Sequence, residues 1–466
     1  MGSYLRTAPV VIAMIGLSAC SMAPKYVQPA SPVPELLPTT EQPGASDSVP
    51  PADIAWRDFF TDPKLRDVVQ LALDNNRDLR LALANVEQAR ALHRVQRADL
   101  LPSIGVNGSA TYQDIPAGAA PLGGRVDIYS ANVGVSAWEI DLFGRLQSLN
   151  KAALEQFFAS VENRNAAQTA LIAQVASAWL TLAADRERLR IVRETEAAFG
   201  QTLDLTKARF ARGIASQLEV DQAQTSFDKA RSDIAQITTL IAQDRNALNL
   251  LVGATVDEAL LPAGLSDGNA TIVSLPAELP SDVLLRRPDI AAAEHQLRAA
   301  NANIGAARAA FFPRLSLTAT FGTISAGLSN LFGSGSDYWS VAPSASLPIF
   351  DFGRNQGNLR YAKATQDAML ARYEQSIQVA FREAADALAR RGTISAQIQA
   401  QASLRAAAAN AYRLSEARFR AGIDPFLTTL DSQRALYAAE QSLLATQLVR
   451  ETNAVELYRA LGGGLK

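Results

Sequence analysis

Residues 103–112 read Ser103-Ile104-Gly105-Val106-Asn107-Gly108-Ser109-Ala110-Thr111-Tyr112. Ile104, Val106, Ala110 and Tyr112 alternate with small and polar residues, a period of two with one apolar face, and this marks a strand. Three further segments carry the same pattern. Tyr129, Ala131, Val133, Val135 and Ala137 oppose Ser130, Asn132, Gly134 and Ser136. Leu315, Leu317, Ala319 and Phe321 oppose Ser316, Thr318 and Thr320. Trp339, Val341, Ala345, Leu347 and Ile349 oppose Tyr338, Ser340, Ala342, Ser344 and Ser346. Each segment is about ten residues long, the length of a tilted membrane strand. Tyr112, Tyr129, Tyr338 and Trp339 fall near segment ends, where aromatic girdles sit. A small soluble sheet with one wet face has the same alternation. If the strands do cross a membrane, four of them cannot close a barrel, since bacterial barrels have at least about eight. Open edges in lipid would leave N–H and C=O groups unpaired at several kcal/mol each, so the chain must then oligomerise. Two copies supply eight strands and three supply twelve; eight leaves an interior largely filled by side chains, twelve leaves a passage. Residues 113–128 and 322–337, rich in Gly, Ala and Ser, read as exterior loops and lack the Gly-Lys-Ser/Thr of a phosphate loop.

Working outward, the whole chain repeats with an offset of about 210 residues. Arg77-Asp78-Leu79 matches Pro288-Asp289-Ile290, and Leu101-Pro102 matches Phe312-Pro313. Leu142-Phe143-Gly144-Arg145 matches Asp351-Phe352-Gly353-Arg354. Ala208-Arg209-Phe210 with Gly213-Ile214 matches Ala417-Arg418-Phe419 with Gly422-Ile423. The two copies are residues 64–253 and 281–462, joined by a linker at 254–280 and followed by a tail at 463–466. Each copy reads as a helical pattern (64–99, 281–311) ended by Pro102 or Pro313, two strands, a very long helix (145–211, 354–420), a Gly turn and a last helix. A helix over 145–211 would reach ~100 Å and needs neighbours along its length. Leu171, Val175, Ala178, Leu182, Leu189 and Val192 form one apolar stripe; Ala173, Ala176, Leu180 and Ala183 form a second, as in a ring of helices. The fold expected is therefore mainly α with a small β part: a tandem-repeat protomer of long coiled helices with four membrane strands.

Composition agrees. Apolar residues make up 48% of the 466 and aromatics only 7%, which suits closely packed helices rather than a disordered chain. The formal net charge of −2 gives no reason to expect nucleic acid. Two histidines and one cysteine argue against a Cys/His zinc site, and no catalytic constellation stands out, so neither a metal nor a catalytic residue is expected. No apolar run of 18 residues follows the N-terminus, so no membrane-spanning helix is expected in the mature chain.

The N-terminus reads as an address. Arg6, an apolar run from Ala8 to Leu17, and Ser18-Ala19-Cys20 make a secretory signal over 1–19. Leu17-Ser18-Ala19-Cys20 resembles the bacterial lipobox, which would make Cys20 the acylated first residue and put a covalent lipid, rather than a cofactor, on the chain. Ser21 rather than Asp at the next position resembles the sorting signal for the outer membrane. Residues 20–63 follow as a lipid-anchored tether, with 24–51 extended and without a core of their own.

Taken together, these motifs resemble the TolC-like outer-membrane efflux proteins, in the OprM/NodT-type lipoprotein branch. Leu17–Cys20, Leu285-Arg286-Arg287-Pro288-Asp289-Ile290, the two Phe-Gly-Arg junctions, Ala417-Arg418-Phe419 with Gly422, Thr429-Leu430-Asp431-Ser432-Gln433-Arg434 and Leu461-Gly462-Gly463-Gly464 carry the resemblance. It implies a homotrimer whose twelve-stranded β-barrel crosses the outer membrane and continues as a periplasmic α-barrel. Such a protein is the non-enzymatic exit duct of a tripartite pump, working with a periplasmic adaptor and an inner-membrane transporter. The resemblance also implies roles. The tips around Arg209, Gly213, Arg418 and Gly422 would contact the adaptor. Asp431, with Arg434 as counter-charge, and Asp424 would form the periplasmic gate, with Asp221 and Gln224 in the matching region of the first copy. The chain has Thr428 where TolC carries a second Asp, and Asp424 where TolC carries Arg. Two other readings stay open at this point: the duct of a type I protein secretion system, and a structural helical lipoprotein tether.

Overall fold

The computed structural model describes residues 22–38, 53–116, 124–265 and 280–465. Cys20 and the signal segment lie outside the described residues. The elements run α1 (Trp56–Phe59), α2 (Pro63–Asn75), α3 (Arg77–Ala98), β1 (Ile104–Ile115), β2 (Gly124–Ile140), α4 (Arg145–Ala211), α5 (Gln217–Val252), α6 (Pro288–Ala309), β3 (Arg314–Ser325), β4 (Asp337–Ser346), α7 (Arg354–Arg420) and α8 (Phe426–Ala460), with short 3₁₀ turns between some of them. The two compact units do not coincide with the two sequence repeats, because each unit draws on both copies. One comprises 22–30, 85–161 and 292–373; the other comprises 31–84, 162–291 and 374–465.

In the first unit the four strands form one antiparallel sheet in the order β1-β2-β3-β4. The hairpins outrun the expected loops. Gln113 pairs with Val126 and Asp114 with Arg125, so the first ladder continues to Ile115 and Gly124. On that extension the Arg125 guanidinium bonds Asp127 of its own strand at 2.7 and 3.1 Å. Between β3 and β4 the loop shortens to 326–336. At the other end β4 stops at Ser346 rather than Ile349, because Pro348 has no N–H to continue a ladder.

The two Phe-Gly-Arg junctions, each with an Asp just ahead of the Phe, recur for a structural reason. Asp141 accepts hydrogen bonds from the N–H of Arg145 (2.7 Å) and Gln147 (2.8 Å), and so caps α4. Asp351 does the same for α7 through Gly353 and Asn355, both at 2.9 Å. Gly144 (φ 69°) and Gly353 (φ 85°) supply the left-handed residue that turns strand into helix. Both long helices span 67 residues, as the repeat predicts. One stretch of α4 is apolar enough to cross a bilayer by length and composition, against expectation. More than half of it (56%) is buried inside the protein, however, because both apolar stripes find neighbours.

Residues 22–28 are also not a free tether. Arg308 donates to the carbonyl of Met22 (3.2 Å), Asn301 to that of Pro24 (2.8 Å), and the Tyr26 hydroxyl to Glu294 (3.0 Å). A Cβ on Gly305 would stand 2.7 Å from the Ala23 nitrogen, so glycine makes the groove that the strap occupies.

In the second unit each expected first helix breaks once. Asn76 adopts an extended backbone (ψ 135°), accepts from the N–H of Leu79 (2.8 Å) and donates to the carbonyl of Leu251 (2.7 Å), separating α2 from α3. Arg287 breaks the matching point because Pro288 forces the residue before it out of the helical region. The Arg287 side chain is 5% exposed. It reaches Asp289 (3.0 and 2.7 Å), Glu383 (2.9 Å) and the carbonyl of Ala460 (3.0 Å), and so clasps the end of α8. Tyr458 stacks on Phe59 (centroids 3.9 Å) and donates to the carbonyl of Ile54 (2.7 Å), which gives 53–60 a buried aromatic seat.

Candidate functional site

The sheet has two chemically distinct faces. Its register places Ile104 opposite Val135 and Val106 opposite Val133, Val133 opposite Phe321, and Phe321 opposite Trp339. One continuous apolar face therefore crosses all four strands, and Ile104, Val106, Val133, Phe321 and Trp339 stand exposed on it. The other face carries hydroxyl and amide rows, in which Ser109 bonds Ser130 (2.8 Å) and Ser316 bonds Ser344 (2.7 Å). The alternation in β2 differs from expectation at one residue. Ala137 (φ 49°) is a bulge whose N–H donates to the Thr318 hydroxyl at 3.1 Å. Trp138 and Ile140 resume the apolar face opposite Leu317 and Leu315. Tyr112 and Tyr129 meet edge to face at 5.9 Å, with Arg125 over the Tyr112 ring. Among the described residues, no strand pairs with the outer edge of β1 or of β4.

The helix-to-helix turns share one geometry. Gly213 (φ 73°) donates to the carbonyl of Phe210, and Ile214 to that of Arg209. Gly422 (φ 75°) and Ile423 repeat both bonds to Phe419 and Arg418. This is the Schellman ending, in which a left-handed residue satisfies the last carbonyls. No atom stands within 4 Å of a Cβ built on either glycine, so the backbone angle alone requires them.

The two turns come together. The Arg209 guanidinium lies 4.6 Å from the Phe419 ring centre, over a core that includes Phe199, Leu203, Val220, Phe426 and Leu430. Arg418 instead grips Asp424 through two bonds of 2.7 and 2.8 Å, which holds the Asp424 carboxyl below the usual carboxylate range. Ile214, Leu218, Ile423 and Leu427 stand exposed around these turns. Ile214 and Ile423 each directly follow a helix-ending glycine, a signal readable in the sequence, whereas nothing local marks Leu218 and Leu427.

The expected gate residues divide. Asp431 is exposed, and Arg434 is 3.9 Å away, too far for a hydrogen bond. Arg434 donates instead to the Ser226 hydroxyl at 3.0 and 2.9 Å, joining α8 to α5. Counter-charge to Asp431 is thus not its main engagement in the protomer. Asp221 accepts from Gln217 (2.9 Å), and Gln224 donates to Asp228 (2.8 Å), each bond one turn along the same helix. Farther along, Asp185 on α4 and Asp244 on α5 face one another. Burial, and the hydrogen bond that its protonated form donates to Asp185, push the Asp244 carboxyl up to about 6.

The outer membrane efflux protein family model matches this chain twice, over 68–254 and 279–463. The probable efflux pump outer membrane protein TtgC of Pseudomonas putida is 44% identical over 452 residues, covering 96% of this chain and 93% of the relative. A membrane protein from Pseudomonas aeruginosa superposes with a TM-score of 0.89 at 39% identity, over 96% of this chain and 98% of that one. The open state of the Neisseria gonorrhoeae MtrE outer membrane channel superposes with a TM-score of 0.87 at 38% identity, over 96% and 99%. With four strands, paired long helices and a twofold match that spans most of its length, this chain belongs to the outer membrane efflux protein family.

Proposed function

We propose that three copies of this chain join at their sheet edges into a twelve-stranded barrel in the outer membrane, held by lipid on Cys20, with the helices in the periplasm. One observation carries this reading: a continuous apolar face ends in two unpaired edges, in a member of a family of outer-membrane efflux channels. In hydrocarbon such edges are tolerable only when another copy pairs them. The chain is the exit duct of an efflux pump and not an enzyme. It lowers no chemical barrier; it supplies a path. The lumen-side rows of the sheet carry hydroxyls, amides and small residues over 105–111, 130–136, 316–320 and 340–346, with Glu139 opposite Ser316 and Arg314 opposite Ser346 at the end nearest the helices.

At the other functional site, the exposed Ile214, Leu218, Ile423 and Leu427 around the turns give the adaptor an apolar landing, framed by Arg209 and the Arg418–Asp424 pair. Asp431, repeated by threefold symmetry, brings carboxylates together and narrows the duct. An inner-membrane transporter supplies the solute, and no cofactor takes part. Removing the gene should lower tolerance to the exported solutes, and the wild-type chain should restore it. Unchanged tolerance would overturn the duct. Palmitate label should enter the wild type and not Cys20→Ser, and label in the variant would overturn the anchor.

A further inference from the structure

The internal repeat is a ruler for contacts that a single chain cannot make. The repeat carries Ile104 onto Leu315 and Val135 onto Ala345. Ile104 pairs with Val135 in the first hairpin, and Leu315 pairs with Ala345 in the second. With an offset of 211 for the first strand and 210 for the second, the even step that keeps its apolar residues on one face, the two hairpins share one register. The β2–β3 contact joins the first repeat to the second, and its counterpart would join the second repeat to the first repeat of another copy. This step rests on the assembly proposed above.

We infer that β4 seals against β1 of the next copy in the register that sets Ser344 opposite Ser109 of that copy, and that Phe352 seats on Leu101 of that copy below the seam. The strand part follows from the pair Gly134 with Thr320, whose repeat counterparts are Ser344 and Ser109.

Three independent features agree with this register. Ser344 already bonds Ser316, and Ser109 already bonds Ser130. The seam thus joins two hydroxyl pairs into one row of four, and a slip of two residues would break the row. Next, Ile324 donates to the carbonyl of Ser336 at 2.9 Å, so even-numbered residues of β4 bond toward β3 and odd-numbered ones turn to the free edge. Pro343 then has its missing N–H at the seam rather than inside the ladder, as a proline on an edge strand must. Finally, Phe143 stacks on Phe312 at 4.7 Å within the chain. Their counterparts are Phe352 and Leu101, and both stand exposed in the protomer, as do Ile349 and Phe350 beside Phe352. The junction after β2 is covered by its own chain, whereas the matching junction after β4 is bare.

Cysteine pairing tests the register. Ser344 and Ser109 fall on the non-hydrogen-bonded rows, where paired Cα atoms lie about 4.5 Å apart and a disulfide closes without distortion. Membranes holding the Ser344→Cys/Ser109→Cys double variant are oxidised and run without reductant, beside Ser344→Cys/Asn107→Cys and Ser344→Cys/Thr111→Cys. The inferred register gives covalent dimers and trimers for the first pair and at least a fivefold lower yield for the other two. Preferential cross-linking of either shifted pair overturns the register and leaves the trimer standing. Absence of cross-links in all three, with a monomer mass for the reduced protein in detergent, overturns the assembly itself. The Phe352→Cys/Leu101→Cys variant reads the junction separately: cross-linking supports the seat, and its absence while the first pair links removes that part alone.

Discussion

Replacing Arg287 with Met should destabilise the protein by about 3 kcal/mol. The guanidinium is almost fully buried and makes bonds to Asp289, Glu383 and the carbonyl of Ala460. Removing one member of a buried ion pair typically costs about 3–5 kcal/mol, because the abandoned charge stays desolvated. The low end applies here. Glu383 keeps Arg459 at 3.3 Å, and the Asp289 side chain is partly open to water. Met retains most of the aliphatic contact with Gly462, so the loss isolates the charge. The assay is guanidinium unfolding of the detergent-solubilised protein followed by helical circular dichroism, with Glu383→Gln and the double variant completing a cycle. The double variant should cost about 1–3 kcal/mol less than the two single costs added, as expected for groups in one network. If Arg287→Met unfolds within about 0.5 kcal/mol of wild type, as an ordinary surface change does, the clasp does not hold α8.

Substituting Val for both Gly213 and Gly422 should lower efflux while leaving the oligomer intact. Left-handed backbone costs a non-glycine residue about 1–2 kcal/mol at each turn, and drug tolerance beside native gel mobility checks it. Asp431→Ala should raise the conductance of the purified channel, since it removes the exposed carboxylate; an unchanged single-channel record counts against a gate there. Asp244 is raised in the folded state to about 6 from an ordinary 3.8, so its contribution is fully present below pH 3.8 and is lost as pH rises through 6. Unfolding between pH 4 and 7 should therefore show a falling component that Asp244→Asn removes, and an identical slope in the variant would contradict the pairing with Asp185. Gly305→Val should expel the strap, read as faster proteolysis at 22–28; unaltered cleavage means that the groove does not hold it.

The sequence carried the repeated parts of this molecule more openly than the singular ones. Phe-Gly-Arg with an Asp just ahead of it recurs because an acid must cap each long helix and a glycine must turn the chain into it. The bounds of α4 and α7 were accordingly legible. The β2 bulge was only partly so. Val135 followed by Trp138 and Ile140 is a change of parity that a strict alternation hides. The break at Asn76 depends on a carbonyl 175 positions away, and no local pattern reports it. The strap is held by single side chains of α6, and within the strap only Tyr26 hints at an anchor. At the tips, the resemblance offered Arg434 as the counter-charge to Asp431. The structure spends that arginine on Ser226, a neutral partner that no count of charges would select.

The most direct test of the account is single-channel recording of the purified protein in a planar bilayer, with its mass measured in the same detergent. Three-copy particles that conduct stepwise are the expected result. A protein that stays one copy and leaves the bilayer silent would contradict it.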